Sequence, residues 1–159
     1  MGCGKSTVGR ALADHIGWNF ADLDDDIEKA NGIPISQIFA EQGEAQFRAH
    51  ETAALRARIR MIQSGRPHVL ALGGGAFTQA TNQASIADHG VSIWLDCPLK
   101  VIEARVARET HRPLARDLDK MRELFVSRLS SYAKADYRIE ASSDNPQEAV
   151  DRILALDLL

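Results

Sequence analysis

The first residues of the chain are of the types that hold phosphate groups. Gly2, Cys3, Gly4, Lys5, Ser6 and Thr7 match the last part of the pattern GxxxxGK[ST]. Glycines let backbone N–H groups converge on phosphate oxygens, a lysine supplies positive charge, and a serine hydroxyl is a ligand for Mg²⁺. A helix beginning here would direct its positive N-terminus at the same phosphates. The pattern therefore predicts a phosphate-binding loop.

Two questions about these residues stay open: where the natural chain begins, and whether the residues fit a modification site instead. The pattern's first glycine would precede Met1, and the strand that normally leads into such a loop is missing, so we expect an internal start or a truncation. A true short form, which we expect to be unstable, is the alternative. Residues 1–6 also fit the N-myristoylation pattern, with Cys3 available for a second acyl chain. We favour the phosphate loop because the downstream motifs agree with it.

Two aspartates, Asp22 and Asp24, follow a segment that is expected to be a strand. Alternate residues of an extended segment share a face, so both carboxylates can point into one cleft. One would then support Mg²⁺ through water, and the other would accept a proton from a substrate hydroxyl. Taken alone, an acidic first helical turn is the simpler explanation, because Asp25, Asp26 and Glu28 follow.

Glycines and arginines supply the remaining candidates. Residues 73–75 are three glycines directly after an apolar run, where a bare backbone can approach a ligand closely; a flexible turn is the alternative. Arg48, Arg112 and Arg128 are candidate anion clamps, because a guanidinium grips carboxylate or phosphate with two parallel hydrogen bonds. Any single arginine is by default a solvated surface residue.

Composition excludes several classes of protein. The 159 residues suit one domain, and 19 Lys and Arg against 22 Asp and Glu give a net charge of −3, which argues against a nucleic-acid partner. Two cysteines, Cys3 and Cys97, are too few for a disulfide scaffold and lack zinc spacing, and five scattered histidines show no metal spacing. No apolar run is long enough for a membrane span. We therefore expect a cytoplasmic protein, which we take to be a monomer.

Helical and extended patterns alternate along the chain. One helix is predicted to end at Gly17, and the last is predicted to begin at Pro146. Further helices are predicted over 24–31, 36–42 with Ser36 as cap, 44–64, 80–89, 98–108 and 121–134. Strands are predicted over 18–22, 68–72, 91–95 and 137–140. Short strands alternating with helices indicate βαβ units and a parallel sheet. The fold class is therefore α/β.

Taken in order, these segments resemble the shikimate kinase family over nearly the whole chain. The matching stretches are residues 2–10, Asp22-Leu23-Asp24, Phe47-Arg48 with Glu51, Gly73-Gly74-Gly75, Arg112-Pro113-Leu114, and Arg128 with Tyr132. Two features depart from the family: Ala115 stands where a second leucine is common, and the stretch from Arg112 to Arg128 is short.

The resemblance implies a fold and a reaction. The fold would be a three-layer P-loop kinase domain over residues 1–159, with a five-stranded parallel sheet that here lacks its first strand. Substrate-binding helices would span about 24–53 and a lid about 111–121. The reaction would be transfer of the γ-phosphate of ATP, with Mg²⁺, to the 3-hydroxyl of shikimate.

The resemblance also implies roles for individual residues. Lys5 and Ser6 would bind phosphate and Mg²⁺, Asp22 would lie near Mg²⁺, and Asp24 would hold the reacting hydroxyl and act as base. Arg48 and Arg128 would clamp the shikimate carboxylate, with Gly73, Gly74 and Gly75 lining that pocket. Arg112 would be the lid arginine that reaches the transferring phosphate, and Arg108 would flank the adenine.

Two other functions compete with this one. A different small-molecule P-loop kinase, such as a gluconate-kinase-like enzyme, would share the phosphate loop. A ligand-sensing domain derived from this fold would have no need of a base such as Asp24. The reading frame upstream of Met1 would discriminate, since a strand ending in glycine supports a kinase and a helix-turn-helix supports a sensor.

Overall fold

The computed structural model describes residues 2–108 and 118–158, with Arg108 described by its backbone alone. Within these ranges the helices are α1 Lys5–Ile16, α2 Leu23–Asn31, α3 Ile35–Gln63, α4 Ala80–Ala87, α5 Leu99–Arg108, α6 Leu118–Tyr132 and α7 Pro146–Leu154. The strands are β1 Asn19–Asp22, β2 His68–Ala71, β3 Ile93–Asp96 and β4 Tyr137–Glu140, and a 3₁₀ turn covers Ala76–Thr78. None of these helices is both long and apolar enough to cross a membrane.

The described chain divides into two compact units. Residues 12–91 form one, and residues 1–11 with 92–159 form the other. Each contains one pair of parallel strands: β1 pairs with β2 from Asn19↔His68 onward, and β3 pairs with β4 from Ile93↔Tyr137 onward. The predicted α/β class with parallel strands is confirmed.

The unit of residues 12–91 packs α2 and α3 around an apolar core. Its buried members are Leu23, Ile27, Ile38, Phe47, Leu55, Ile59 and Ala76. A two-pronged ion pair also joins the helices, because Arg58 donates to both carboxylate oxygens of Asp26 at 2.5 Å. The first turn of α2, which carries Asp24, is therefore fixed against α3.

The other unit packs α5 against α6. Cys97, Ile102, Val106 and Met121 are buried there, and Cys3 of the phosphate loop packs against the same cluster. The loop is consequently supported by an apolar surface of α5.

Several predicted helix ends are confirmed and one cap is wrong. Gly17 and Gly32 adopt positive φ of 71° and 70° after α1 and α2, as expected of glycines that end helices. Ser36 does not cap α3: the helix begins at Ile35 after Pro34, and the side chain of Glu28 accepts the Ile35 N–H at 2.9 Å. That acceptor comes from α2, so no local pattern could reveal it.

Gly43 divides α3 into two parts. Its φ of 79° and ψ of 173° are not helical, although hydrogen bonding continues on both sides. The two helices predicted over 36–42 and 44–64 thus correspond to the two parts of α3. The break turns the chain where Phe39 stacks on Phe47 with ring centroids 4.5 Å apart.

Candidate functional site

The phosphate loop leads directly into α1, which begins at Lys5. Gly2 and Gly4 have positive φ of 58° and 85°, which an L side chain rarely adopts. A Cβ on Gly2 would also lie 3.0 Å from Val106 and 3.3 Å from Ile102. Backbone N–H groups at the start of α1 have no helical acceptor, so this turn is suited to an anion.

A cleft of about 360 Å³ opens beside this loop. It is lined by residues 2–8, by Arg105 of α5, and by Glu140, Ala141, Ser143, Asp144, Asn145, Pro146, Glu148, Ala149 and Arg152. The second wall is therefore the turn that joins β4 to α7. A long, anionic ligand with its phosphates on the glycine loop would extend along this wall.

Arg105 holds the β4–α7 turn in place. Its guanidinium donates to the Ser143 carbonyl at 2.6 Å and to the Asp144 carboxylate at 3.2 Å. Sequence reasoning pointed instead to Arg108, one turn later, whose side chain lies outside the described residues. The strand-to-helix turn at Asn145-Pro146 was the available signal, because ligands often bind beyond the carboxyl ends of parallel strands.

Two thiols in this unit differ in their environment. Cys3 lies with its Sγ 3.9 Å from Lys5 Nζ. Burial of Cys3 acts to raise its pKa, but the nearby charge of Lys5 acts against it, and the net pKa lies below the usual value. Burial raises the pKa of Cys97, although the Arg105 charge opposes that shift. Cys3 therefore has the larger fraction of thiolate at neutral pH.

Three charged side chains converge on the triple-glycine turn in the other unit. A Cβ built on Gly73 would lie 2.5 Å from Asp24 Oδ1 and 3.3 Å from Glu51 Oε1. A Cβ on Gly75 would overlap the guanidinium of Arg48. The sequence predicted that glycines here permit a close approach, and the groups that approach are these side chains.

Arg48 and Glu51 form the centre of this group. Arg48 donates to Glu51 Oε2 at 3.0 Å and to Glu44 Oε1 at 3.1 Å. Gln79 donates to the same Glu51 oxygen at 2.8 Å. Arg48 is thereby oriented by a carboxylate that is only 1% exposed.

The carboxyl group of Glu51 is shifted by its surroundings. Burial raises its pKa, Arg48 opposes the shift, and the negative charge of Asp24 adds to it, so that the net pKa lies above the ordinary value. Glu51 belongs to a stretch that matches the family, but no role was predicted for it from the sequence. An acid three residues after an arginine on a helix was the available signal.

Asp22 caps the start of α2, which agrees with the interpretation of this segment as an acidic first helical turn. It precedes α2 as its N-cap, and its Oδ1 accepts the Asp24 N–H at 3.1 Å. The contact shapes the first turn of α2 and so orients the backbone of Asp24.

Arg128 and the end of the predicted lid are described by the structure, whereas the rest of the lid is not. Arg128 lies on α6, one turn before Tyr132; burial raises the pKa of Tyr132, and the charge of Arg128 opposes that shift. Arg112 and residues 111–117 of the predicted lid lie outside the described residues, while 118–121 form the first turn of α6. Within the described ranges, no group of three or more His, Cys, Asp or Glu side chains is arranged to hold a metal ion.

Comparison with known proteins gives consistent matches. The family model described as shikimate kinase matches residues 1–157. A shikimate kinase of Caulobacter vibrioides is 42% identical over 157 residues, covering 97% of this chain and 76% of that protein. The structure of shikimate kinase from Acinetobacter baumannii in complex with shikimate superposes with a TM-score of 0.87 at 35% identity, covering 99% of this chain and 88% of the other.

A gluconokinase of Sinorhizobium meliloti is more distant. It reaches a TM-score of 0.61 at 19% identity, covers 98% of this chain and 85% of its own, and shares the fold alone. The sequence and structure matches together show that the chain belongs to the shikimate kinase family, as its motifs predicted.

Proposed function

We propose that this chain uses ATP to phosphorylate the 3-hydroxyl of shikimate through the residues described above. The observation that carries the residue assignment is the convergence of Asp24, Arg48 and Glu51 on the glycine turn at 73–75. A cyclic polyol carboxylate needs one group to accept a hydroxyl proton and another to bind its carboxylate. Asp24 and Arg48 are of those two types.

The nucleotide is assigned to the cleft beside the phosphate loop. Backbone N–H groups of residues 2–7 would hold the phosphates, and Lys5 would neutralise charge on the β- and γ-phosphates. The base and ribose would extend toward Arg105 and the β4–α7 turn, because these form the other wall of the cleft. Family resemblance adds Arg108 near the adenine and Arg112 at the transferring phosphate.

Magnesium is assigned to Ser6 and Asp22 by the same resemblance. Hydroxyl and carboxylate oxygens are the hard ligands that Mg²⁺ prefers, so the chemistry of the two residues fits the ion. Bound Mg²⁺ would neutralise charge on the β- and γ-phosphates.

Asp24 is the proposed base for the acceptor hydroxyl. As the hydroxyl oxygen attacks the γ-phosphorus, its proton passes to the Asp24 carboxylate, and ADP leaves on the opposite side. Arg48, Arg128 and the backbone of Gly73, Gly74 and Gly75 would fix the acceptor ring. Positioning accounts for much of the rate in phosphoryl transfer, so the hydrogen bonds that fix Arg48 matter as much as its charge.

The domain arrangement is also a proposal. Residues 1–159 would act as one catalytic domain, with acceptor-binding helices over about 24–53 and a lid over about 111–121. A monomer in the cytoplasm without a nucleic-acid partner fits the two free thiols and the net charge of −3.

A coupled ADP-release assay with ATP, Mg²⁺ and shikimate tests the proposal. We expect ADP release that depends on shikimate, and its loss in Asp24→Asn with ATP binding unchanged. Asp25→Asn is the matched control, since it removes the same charge from an exposed neighbouring position on α2. An Asp24→Asn protein that retains most of its kcat would refute the assignment of the base.

A further inference from the structure

Gln79 lies at the join between the glycine turn and α4. It follows the 3₁₀ turn Ala76–Thr78 and precedes the first residue of α4. Its backbone carbonyl accepts two N–H groups from the first turn of α4, both at 3.0 Å. Its side chain reaches α3, where Nε2 donates to Glu51 Oε2 at 2.8 Å. Gln79 therefore ties the segment after the glycines to the carboxylate that pairs with Arg48.

The start of α4 does not itself require this side chain. N-cap positions favour Ser, Thr, Asp and Asn, because their short side chains accept N–H groups of the first helical turn. Within the described residues, the Gln79 side chain forms no capping hydrogen bond to α4. A glutamine here thus serves a contact 28 residues away along the chain rather than its own helix.

The oxygen that accepts from Gln79 also accepts from Arg48. The Arg48 guanidinium donates to Glu51 Oε2 at 3.0 Å. The other carboxylate oxygen lies at the glycine turn, because a Cβ on Gly73 would be 3.3 Å from Glu51 Oε1. Glu51 is buried, so water cannot readily replace a lost donor. Two donors on one buried oxygen fix the plane of the carboxylate and, through it, the direction of the guanidinium.

Charged groups on two elements act on Glu51 together with this amide. Asp24 in the first turn of α2 repels its negative charge, and Arg48 on α3, itself paired with Glu44, attracts it. Burial and the charge of Asp24 raise the pKa of Glu51, and the hydrogen bonds from the two donors act to lower it; the net shift is upward. Gln79 thus stabilises the carboxylate, which is the form that pairs with Arg48, without adding a positive charge.

We propose that Gln79 is a positioning residue for the acceptor: its amide holds the Glu51 carboxylate in the orientation that directs Arg48 toward the substrate carboxylate. The inference rests on the proposed function, in which Arg48 binds that carboxylate. Gln79 acts through Glu51 and does not touch the reacting atoms in this scheme. Its loss should therefore weaken the binding of shikimate and change the pH range over which shikimate is bound.

Gln79→Met tests the proposal, because it removes the donor and keeps the length of the side chain. We expect the KM for shikimate to rise about tenfold, as for loss of one hydrogen bond to a charged group, while the KM for ATP changes less than about twofold. The acidic limb of kcat/KM for shikimate should move to higher pH by about one unit, since Glu51 then takes up its proton more readily. Gln83→Met is the matched control, because that amide supports the same segment by donating to the Phe77 carbonyl at 2.6 Å.

Two further variants separate positioning from structural damage. Lysine keeps a donor and adds a positive charge, so Gln79→Lys should move the acidic limb to lower pH, opposite to Gln79→Met. In a Glu51→Gln background, which lacks the titrating carboxyl, Gln79→Met should leave the limb in place. An acidic limb that is unchanged in Gln79→Met, that moves the same way in Gln79→Lys, or that moves equally in Gln83→Met would overturn the inference while the wild type remained active. A wild type without shikimate-dependent ADP release would overturn the proposed function, and with it this inference.

Discussion

Gly75→Ala offers a direct test of how the glycine turn positions Arg48. Gly75 has φ of −100° and ψ of −18°, which any residue can adopt, so alanine introduces no backbone strain. Its Cβ would overlap the Arg48 guanidinium. The substitution is therefore a displacement of one charged group by one methyl.

The expected magnitude follows from what Arg48 loses. The guanidinium ends a flexible side chain and can move, but the buried Glu51 then loses its charged partner, so we expect the free energy of unfolding to fall by about 1.5–3 kcal/mol. In moving, it gives up the orientation set by Glu51 at 3.0 Å. Loss of a charge-assisted hydrogen bond to the acceptor, worth about 1.5–3 kcal/mol, would lower kcat/KM for shikimate roughly 10- to 150-fold.

Initial rates against shikimate at saturating ATP, together with urea denaturation, measure both quantities. Gly90→Ala is the matched control, because the nearest atom to its Cβ would be the Ile86 carbonyl oxygen at 4.0 Å. Gly73→Ala is expected to reduce kcat instead, because its Cβ would lie 2.5 Å from Asp24 Oδ1. A folded Gly75→Ala protein with kcat/KM for shikimate within twofold of wild type would refute this account of Arg48.

Three further predictions follow from other contacts. The folded protein raises the pKa of Glu51. The contribution of the protonated Glu51 carboxyl to stability is therefore complete below its usual pKa of 4.5 and is lost as pH rises through its pKa in the folded protein. Wild type should therefore gain stability relative to Glu51→Gln on acidification from pH 8 to 5 in urea denaturation; parallel curves would contradict this. N-Ethylmaleimide should modify Cys3 before Cys97, with ATP slowing the reaction, as mass spectrometry would show; preferential labelling of Cys97 would contradict the thiol assignment. Arg105→Ala should raise the KM for ATP about tenfold without changing the KM for shikimate, because the β4–α7 turn loses its hydrogen bond at Ser143. An unchanged KM for ATP would show that this turn is not part of the nucleotide site.

Elements with local signals were predictable from the sequence. Gly17 and Gly32 mark helix ends because a positive φ is easy only for glycine, and Pro146 begins α7 at the predicted residue. The start of α3 was misplaced because its acceptor is the side chain of Glu28, on the preceding helix. Tertiary contacts of this kind leave no periodic trace in the sequence.

In the candidate site too, some residues could be selected from the sequence, while others depend on tertiary contacts. Asp24, Arg48 and the three glycines were candidates by type and spacing, but each had a simpler explanation by itself. The order of the motifs along the chain, which resembles the shikimate kinase family, selected them. Glu51 was given no role, since its significance arises from burial and from Gln79, 28 residues away along the chain. The wall of the cleft at 140–152 was missed for a similar reason, as only the fold brings it to the phosphate loop.

The two carboxylate partners of Arg48 differ in exposure and can therefore act differently. Arg48 lies between two carboxylates, of which Glu51 is 1% exposed and Glu44 is 69% exposed. Glu51 is too buried to be replaced by an incoming ligand, so it fixes the direction of the guanidinium, while the exposed Glu44 is the partner that a substrate carboxylate can displace. A guanidinium that one carboxylate fixes and the other can release would let a chain of net negative charge bind a carboxylate without a basic surface.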